Sequence, residues 1–110
     1  MEEFDIAIIG GGPAGIMAAI AASADLNVVL LEKNSSLGSK LLITGGGRCN
    51  ITNEKPIKKL LNSFHDKNFL KHSFYTFTNE MLLDLFRNRG LDFIVEDNNR
   101  VFPETEKSQD

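Results

Sequence analysis

The stretch FDIAIIGGGPAG, residues 4–15, carries an apolar run into a glycine cluster, and the Ala-rich segment IMAAIAA (16–22) follows it. A second apolar run, NVVLL (27–31), closes on Glu32. IAII and VVLL are β-branched-rich and do not alternate, which is the pattern of parallel strands buried on both faces, with a helix of roughly ten residues between them. Strand, helix and strand over 4–32 predict an α/β fold of Rossmann type. Gly10, Gly12 and Gly15 fill the spacing G-x-G-x-x-G after the strand and at the opening of the helix, with an acid 20 positions beyond Gly12.

Each of these positions has a physical task. Gly10 permits the tight strand-to-helix turn, Gly12 lets a pyrophosphate approach the backbone, and Gly15 lets the helix pack close to the strand. A branched Cβ at Gly12 is expected both to block that approach and to strain the turn. Pro13 suits the first helical position. The N–H groups around Ala14 and Gly15, with the positive end of the helix dipole, point to phosphate. Glu32 is placed to accept hydrogen bonds from an adenosine ribose, which favours FAD or NAD over NADP. A plain Rossmann-like turn without nucleotide is the competing reading of the glycines. The turn Ala24-Asp25-Leu26-Asn27 lacks the common Gly, and its Asp and Asn are expected to take the left-handed conformation instead.

Beyond Glu32 runs KNSSLGSKLLITGGGRCNITN (33–53), in which Lys33 and Lys40 bracket a Ser/Gly loop and Gly45, Gly46 and Gly47 precede Arg48, Cys49 and Asn50. A second glycine-rich, cationic segment at the carboxyl end of strand two suits a long cofactor extended across a sheet. With GGGPAGIMAA (10–19), GSKLLITGGGRCNITN (38–53) and RVFPETEK (100–107), the chain resembles the BaiN-type flavoproteins, also described as aminoacetone oxidase family NAD(P)/FAD-dependent proteins. The resemblance covers essentially all 110 residues. It implies a flavoprotein with two dinucleotide-binding domains and an inserted substrate domain, acting as an FAD-dependent oxidoreductase on a small molecule, with NAD(P)H as a candidate electron donor. It further implies that Gly10, Gly12, Pro13, Ala14, Gly15, Glu32, Lys33 and Lys40 contact the ADP half of FAD. Thr44 to Asn50 would then lie along the pyrophosphate and flavin. Asn99 stands where the family has Gly, and Asn tolerates the left-handed turn. An FAD protein with an RNA-modifying or non-redox role, and an NAD-only dehydrogenase, remain alternatives.

The rest of the chain reads as a Gly-rich cofactor loop over 35–53, a helical segment over 56–89 and a hairpin over 91–103. Pro56 starts a basic helix IKKLLNSF, a second helix covers Asp66 to Phe74, and a third follows Thr78 with Met81, Leu82, Leu85 and Phe86 on one face and Gly90 past its end. LDFIVE and RVFP flank Asp97-Asn98-Asn99, which suits a two-residue turn with positive φ. That hairpin is expected either to deliver Arg100 and Phe102 toward the cofactor or to be a surface flap. Two parallel strands leave a FAD domain incomplete, so the chain reads as a single-domain fragment, inactive and unstable alone, with residues 35–53 mobile without cofactor.

Composition narrows the partners. A net charge of −3, pI near 5.3, gives no electrostatic footprint for nucleic acid, and no run approaches a membrane span of about 20 residues. Glu2, Glu3 and Asp5 argue against a signal peptide, and a lone Cys fits the cytoplasm. Oligomeric state is not legible. Cys49 has no second thiol five residues on, where Glu54 stands, so it reads as a packing or flavin-neighbour residue, with direct chemistry the alternative. His65 and His72 read as solvated helix residues and no metal site is expected. Arg48 reads as a cation beside pyrophosphate or flavin N1, with a salt bridge to the acidic hairpin as its competing role.

Overall fold

The computed structural model describes residues 1–110 in the order β1 (Ile6–Ile9), α1 (Pro13–Ala22), β2 (Val28–Leu31), a 3-10 turn (Leu41–Gly47), β3 (Thr52–Asn53), α2 (Ile57–Leu61), α3 (Lys67–Thr76), α4 (Asn79–Arg87), β4 (Phe93–Glu96) and β5 (Arg100–Pro103). The chain divides into two compact units, Met1–Thr44 and Gly45–Asp110. The boundary falls inside the loop that the sequence treats as one cofactor segment.

In the first unit β1 and β2 pair in parallel from Ile6 opposite Val28 to Ile9 opposite Leu31, so the predicted βαβ unit forms. The ladder continues where Gly10 N–H donates to the Leu31 carbonyl at 2.8 Å. Gly10 sits at φ +102, a conformation that favours glycine, and turns the chain into α1, whose first residue is Pro13. A Cβ on Gly15 would collide with the Gly10 carbonyl oxygen, so the glycine is what allows α1 to lie against β1. Gly12 is different. Its φ is −78 and ψ −179, and a Cβ there would meet nothing within 4 Å, so a branched side chain brings no backbone strain, contrary to the expectation.

Two further expectations change here. β1 is not buried on both faces: Ile6 and Ile8 are half-buried while Ala7 is exposed and Ile9 is 87% exposed, whereas in β2 Val28, Val29 and Leu30 are all half-buried. The turn 24–27 contains no left-handed residue. It closes instead with Leu26 N–H to the Ala22 carbonyl at 3.1 Å, and Asn27 is held by its side chain, which donates to the Glu3 carbonyl at 2.6 Å, and by its N–H, which donates to Asp5 Oδ2 at 2.8 Å.

The second unit holds the core. Its antiparallel sheet runs β3-β5-β4, and the central strand buries Val101 at 0% and Phe102 at 1% exposure, joined by Leu61 of α2 and Leu83 of α4. Phe102 is therefore a core residue, and the second strand of the hairpin is the middle of a sheet, neither a flap nor an arm reaching out with that ring. Glu96 pairs with Arg100, which leaves a three-residue connection, Asp97 to Asn99, rather than two. Asn98 and Asn99 do take positive φ, 63 and 61, as their side chains tolerate.

Thr78 and Gly90 bound α4 as expected, with Thr78 Oγ1 accepting from Met81 N–H at 3.2 Å and Gly90 at φ +86. Asp66, expected as the first residue of its helix, stands just before it as the cap, its Oδ1 accepting from Phe69 N–H at 3.0 Å. Boundaries shift: α2 stops at Leu61 and α3 reaches Thr76. His65 lies in the bend before α3, outside any helix. On α4 the buried apolar residue is Leu83, absent from the expected face, whereas Met81 is 46% exposed.

Gly15→Ala is expected to lower stability by about 1–3 kcal/mol or more through overpacking against backbone that cannot yield. Gly12→Ala should leave the melting temperature within the small range of a surface change. Equal melting temperatures for both variants would contradict the close approach at Gly15.

Candidate functional site

The carboxyl ends of β1 and β2 meet the amino terminus of α1, and the loop after β2 folds back over them. Together they line a cleft of about 190 Å³ formed by Gly11, Gly12 and Pro13 on one side and by Glu32, Asn34, Ser36, Gly38, Ser39 and Lys40 on the other. The first bond of α1 is Ile16 N–H to the Gly12 carbonyl at 2.9 Å, and the N–H groups of Gly12, Ala14 and Gly15 find no protein acceptor. Those donors, at the positive end of a ten-residue helix, are what an anion requires.

Glu32 lies across from them and is held in place. One carboxylate oxygen accepts from Gly11 N–H at 2.7 Å, and the other accepts from the N–H and the side-chain amide of Asn34, both at 2.8 Å. The Asn34 N–H, and then that of Gly11, hold the Glu32 carboxyl below its ordinary value, because each bond favours the charged form. Gly11 is bound from both ends: its carbonyl accepts from Gly38 N–H at 2.8 Å. It is buried, and a Cβ on it would collide with Leu37.

Of the predicted ADP-half residues, the cleft brings together Gly12, Pro13, Glu32 and Lys40, with Ala14 and Gly15 offering their N–H groups behind it. Lys33 is exposed and does not line the cleft. Sequence reasoning passed over Gly11, Asn34 and Gly38. The signal for Gly38 was its place in a Ser/Gly loop, where it takes φ +65 and its carbonyl accepts from Leu41 N–H at 2.8 Å.

In the second unit the segment Gly45 to Cys49 is a left-handed turn. Gly45, Gly46, Gly47 and Cys49 have φ of 56, 68, 88 and 60, which explains three consecutive glycines. Gly45 is also crowded, since a Cβ would stand 2.7 Å from Asn50 N and 3.0 Å from the Phe102 ring. Gly47 O accepts from Ser108 N–H at 2.9 Å, and Cys49 and Asn50 N–H have no protein acceptor. Thr44, the last residue of the first unit, turns its hydroxyl back to the Leu41 carbonyl at 2.7 Å. The Cys49 thiol is free, in a residue 8% exposed.

Arg48 takes the competing role weighed for it. Its Nη1 lies 2.6 Å from Glu96 Oε1 and 3.0 Å from Glu106 Oε1, and the guanidinium carbon is 4.1 Å from the centre of the Phe102 ring. Its hydrogen bonds to Glu96, then to Glu106, favour its charged form, and Arg48 in turn holds the Glu96 carboxyl below its ordinary value. The arginine therefore clamps the turn to the hairpin and to the segment after it, and its charge is already balanced.

Residues 4–110 match the model of the HI0933-like protein Rossmann domain. The chain is 36% identical over 106 residues to the 3-dehydro-bile acid delta(4,6)-reductase of Clostridium scindens, covering 94% of this chain and 25% of that protein. It is 38% identical over 94 residues to the ribosomal RNA dihydrouridine synthase of Escherichia coli, 83% of this chain and 23% of that protein. Mitochondrial dihydrolipoyl dehydrogenase of Caenorhabditis elegans is 39% identical over 74 residues, 66% of this chain and 13% of that protein. The chain thus spans about a quarter of the length of the first two relatives.

If Arg48 works through Glu96, Glu96→Gln and Arg48→Ala should both speed hydrogen exchange at residue 48 and Ser108, whose N–H groups donate to the Gly45 and Gly47 carbonyls, and the double variant should exceed neither. The Glu96 carboxyl is depressed in the folded chain, so its contribution is present above the ordinary glutamate range and is lost as pH falls through the lower folded value. Acid should therefore loosen the wild-type turn to the level of Glu96→Gln. Fast exchange in Arg48→Ala with none in Glu96→Gln would contradict the clamp.

Proposed function

Since the chain belongs to the HI0933-like Rossmann domain family, we propose that it is the cofactor-binding segment of an FAD-dependent oxidoreductase. The observation that carries this reading is the surrounding of Gly12, where donors without acceptors lie beside a glycine that has open space in front of it. A pyrophosphate supplies the acceptors, and the helix dipole favours its charge. Glu32, kept ionised and oriented by Gly11 and Asn34, has a lone pair left on Oε2 for a ribose hydroxyl and repels a 2′-phosphate. Lys40 adds a cation at the rim of the same cleft. The residues present fit the ADP half of FAD.

Gly45 to Asn50 suit the pyrophosphate and flavin side, because exposed glycines and the N–H groups of Cys49 and Asn50 offer backbone donors without side chains in the way. When bound, FAD supplies the redox chemistry, accepting or giving hydride at its N5. Arg48 shapes the turn that meets it, and Cys49 packs beside it as a buried thiol. A small molecule is the substrate and NAD(P)H the electron donor in this reading. The cytoplasm is its location, where a lone thiol persists, and no helix is long and apolar enough to cross a membrane.

A second reading keeps the same cofactor site and takes an RNA base as substrate. Its support is the similarity to a ribosomal RNA dihydrouridine synthase over 83% of the chain.

The test is the colour of the full-length protein. Wild type is expected to purify with flavin absorbance in the visible, and Gly12→Val to be colourless with the melting temperature of flavin-free wild type, because the side chain fills the phosphate approach without straining a residue at φ −78. A colourless wild type, or full flavin content in Gly12→Val, would sink the assignment.

A further inference from the structure

The net charge of −3 conceals a separation of charge along the chain. Residues 55–76 hold five lysines, Lys55, Lys58, Lys59, Lys67 and Lys71, against Asp66 alone, whereas the remaining residues hold seven Lys and Arg against fourteen Asp and Glu. That basic stretch holds α2 and α3, which pack on each other, and Phe64 of the segment between them meets Phe74 of α3, ring centres 5.3 Å apart. Lys58, Lys59, Lys67 and Lys71 are exposed, and every salt bridge in the structure is made by an arginine, so none of these four lysines is in an ion pair.

Exposed aromatic rings share α3 with these lysines. Tyr75, 53% exposed, follows Lys71 on the same face of α3, and Phe69, 79% exposed, lies around the helix from the lysines, while Leu70 and Phe74 are half-buried. Lys67, Lys71 and Tyr75 follow at intervals of four along one face. Lys71, His72 and Tyr75 share the wall of a shallow depression with Asn68 and Thr76. Unpaired cations beside exposed rings match the two demands of an unpaired nucleic acid strand, a charged backbone and bases with open π-faces. An anionic membrane fits less well, because an interfacial helix presents a continuous apolar face and the apolar side of α3 is turned inward.

We propose that the solvent face of α2 and α3, through Lys58, Lys59, Lys67, Lys71, Phe69 and Tyr75, docks single-stranded or loop RNA. The proposal rests on the RNA reading above and requires no step of the flavin chemistry. It identifies a surface that brings an RNA to the protein, and it leaves the reacting base to be presented elsewhere.

The experiment measures binding of a fluorescein-labelled single-stranded oligouridine to the full-length protein by anisotropy across a salt series. Phosphatidylserine vesicles serve as the alternative anionic target. Wild type should bind with log K falling against log salt at a slope of about −3, as four lysine–phosphate contacts on a single strand predict. Changing all four lysines to Gln should flatten the slope and lower affinity at low salt by at least about tenfold. Phe69→Ala with Tyr75→Ala should lower affinity by about tenfold or more with the slope retained. Flavin content and melting temperature report that the variants are folded, and a flavin-free protein that still binds oligouridine would undo the cofactor reading and leave this one standing. No binding by folded wild type, binding unaffected by either set of changes, or capture by the vesicles in preference to oligouridine would overturn the proposal.

Discussion

The first unit depends on one close approach, between Gly15 of α1 and the carbonyl oxygen of Gly10. No side chain fits between them, so α1 lies directly on the end of β1 and its free N–H groups face the carboxyl ends of both strands. Gly10, at φ +102, supplies the change of direction that makes this possible. From that geometry the rest of the cleft follows. Gly11 is left between α1 and the tip of β2, where its N–H meets Glu32 and its carbonyl meets Gly38. The acidic residue at the end of β2 thus orders the glycine loop before any ligand is considered, and it does so while ionised.

The second unit solves a similar problem with a different device. A run of left-handed residues would be loose in isolation, since glycines lose the most freedom on folding. Here the turn is tied down by Arg48, whose guanidinium stands over the Phe102 ring and bridges Glu96 on the hairpin with Glu106 beyond it. Because Phe102 is in the centre of the sheet, the clamp is anchored to the most buried part of the unit. A cation whose charge is balanced in this way organises backbone donors; the binding of anions falls to the N–H groups.

What the sequence revealed was local. The βαβ unit, the roles of Gly10 and Gly15, the cap at Thr78, and the left-handed Asn98 and Asn99 each follow from a residue type and its immediate neighbours. What it hid depends on partners distant in the chain. Asn27 holds its turn through Glu3 and Asp5 and has no need of positive φ, and Arg48 finds acids 48 and 58 residues away. Phe102 looked available because a hairpin read alone has two open edges; β3, only two residues long, covers the one that matters. Whole-chain charge likewise averaged away the lysines of α2 and α3, whose exposure and lack of acidic partners appear only once the helices are built.

The central claim is that the N–H groups at the start of α1 are held ready for a dinucleotide by Gly15, Gly11 and Glu32. Hydrogen exchange at Gly12, Ala14 and Gly15, measured in the full-length protein with its flavin bound and after the flavin is removed, tests it most directly. These amides have no protein acceptor, so they are predicted to exchange fast in the flavin-free protein and to become strongly protected when FAD is bound. Equal exchange at the three amides in both forms, with FAD demonstrably present in one, would contradict the account.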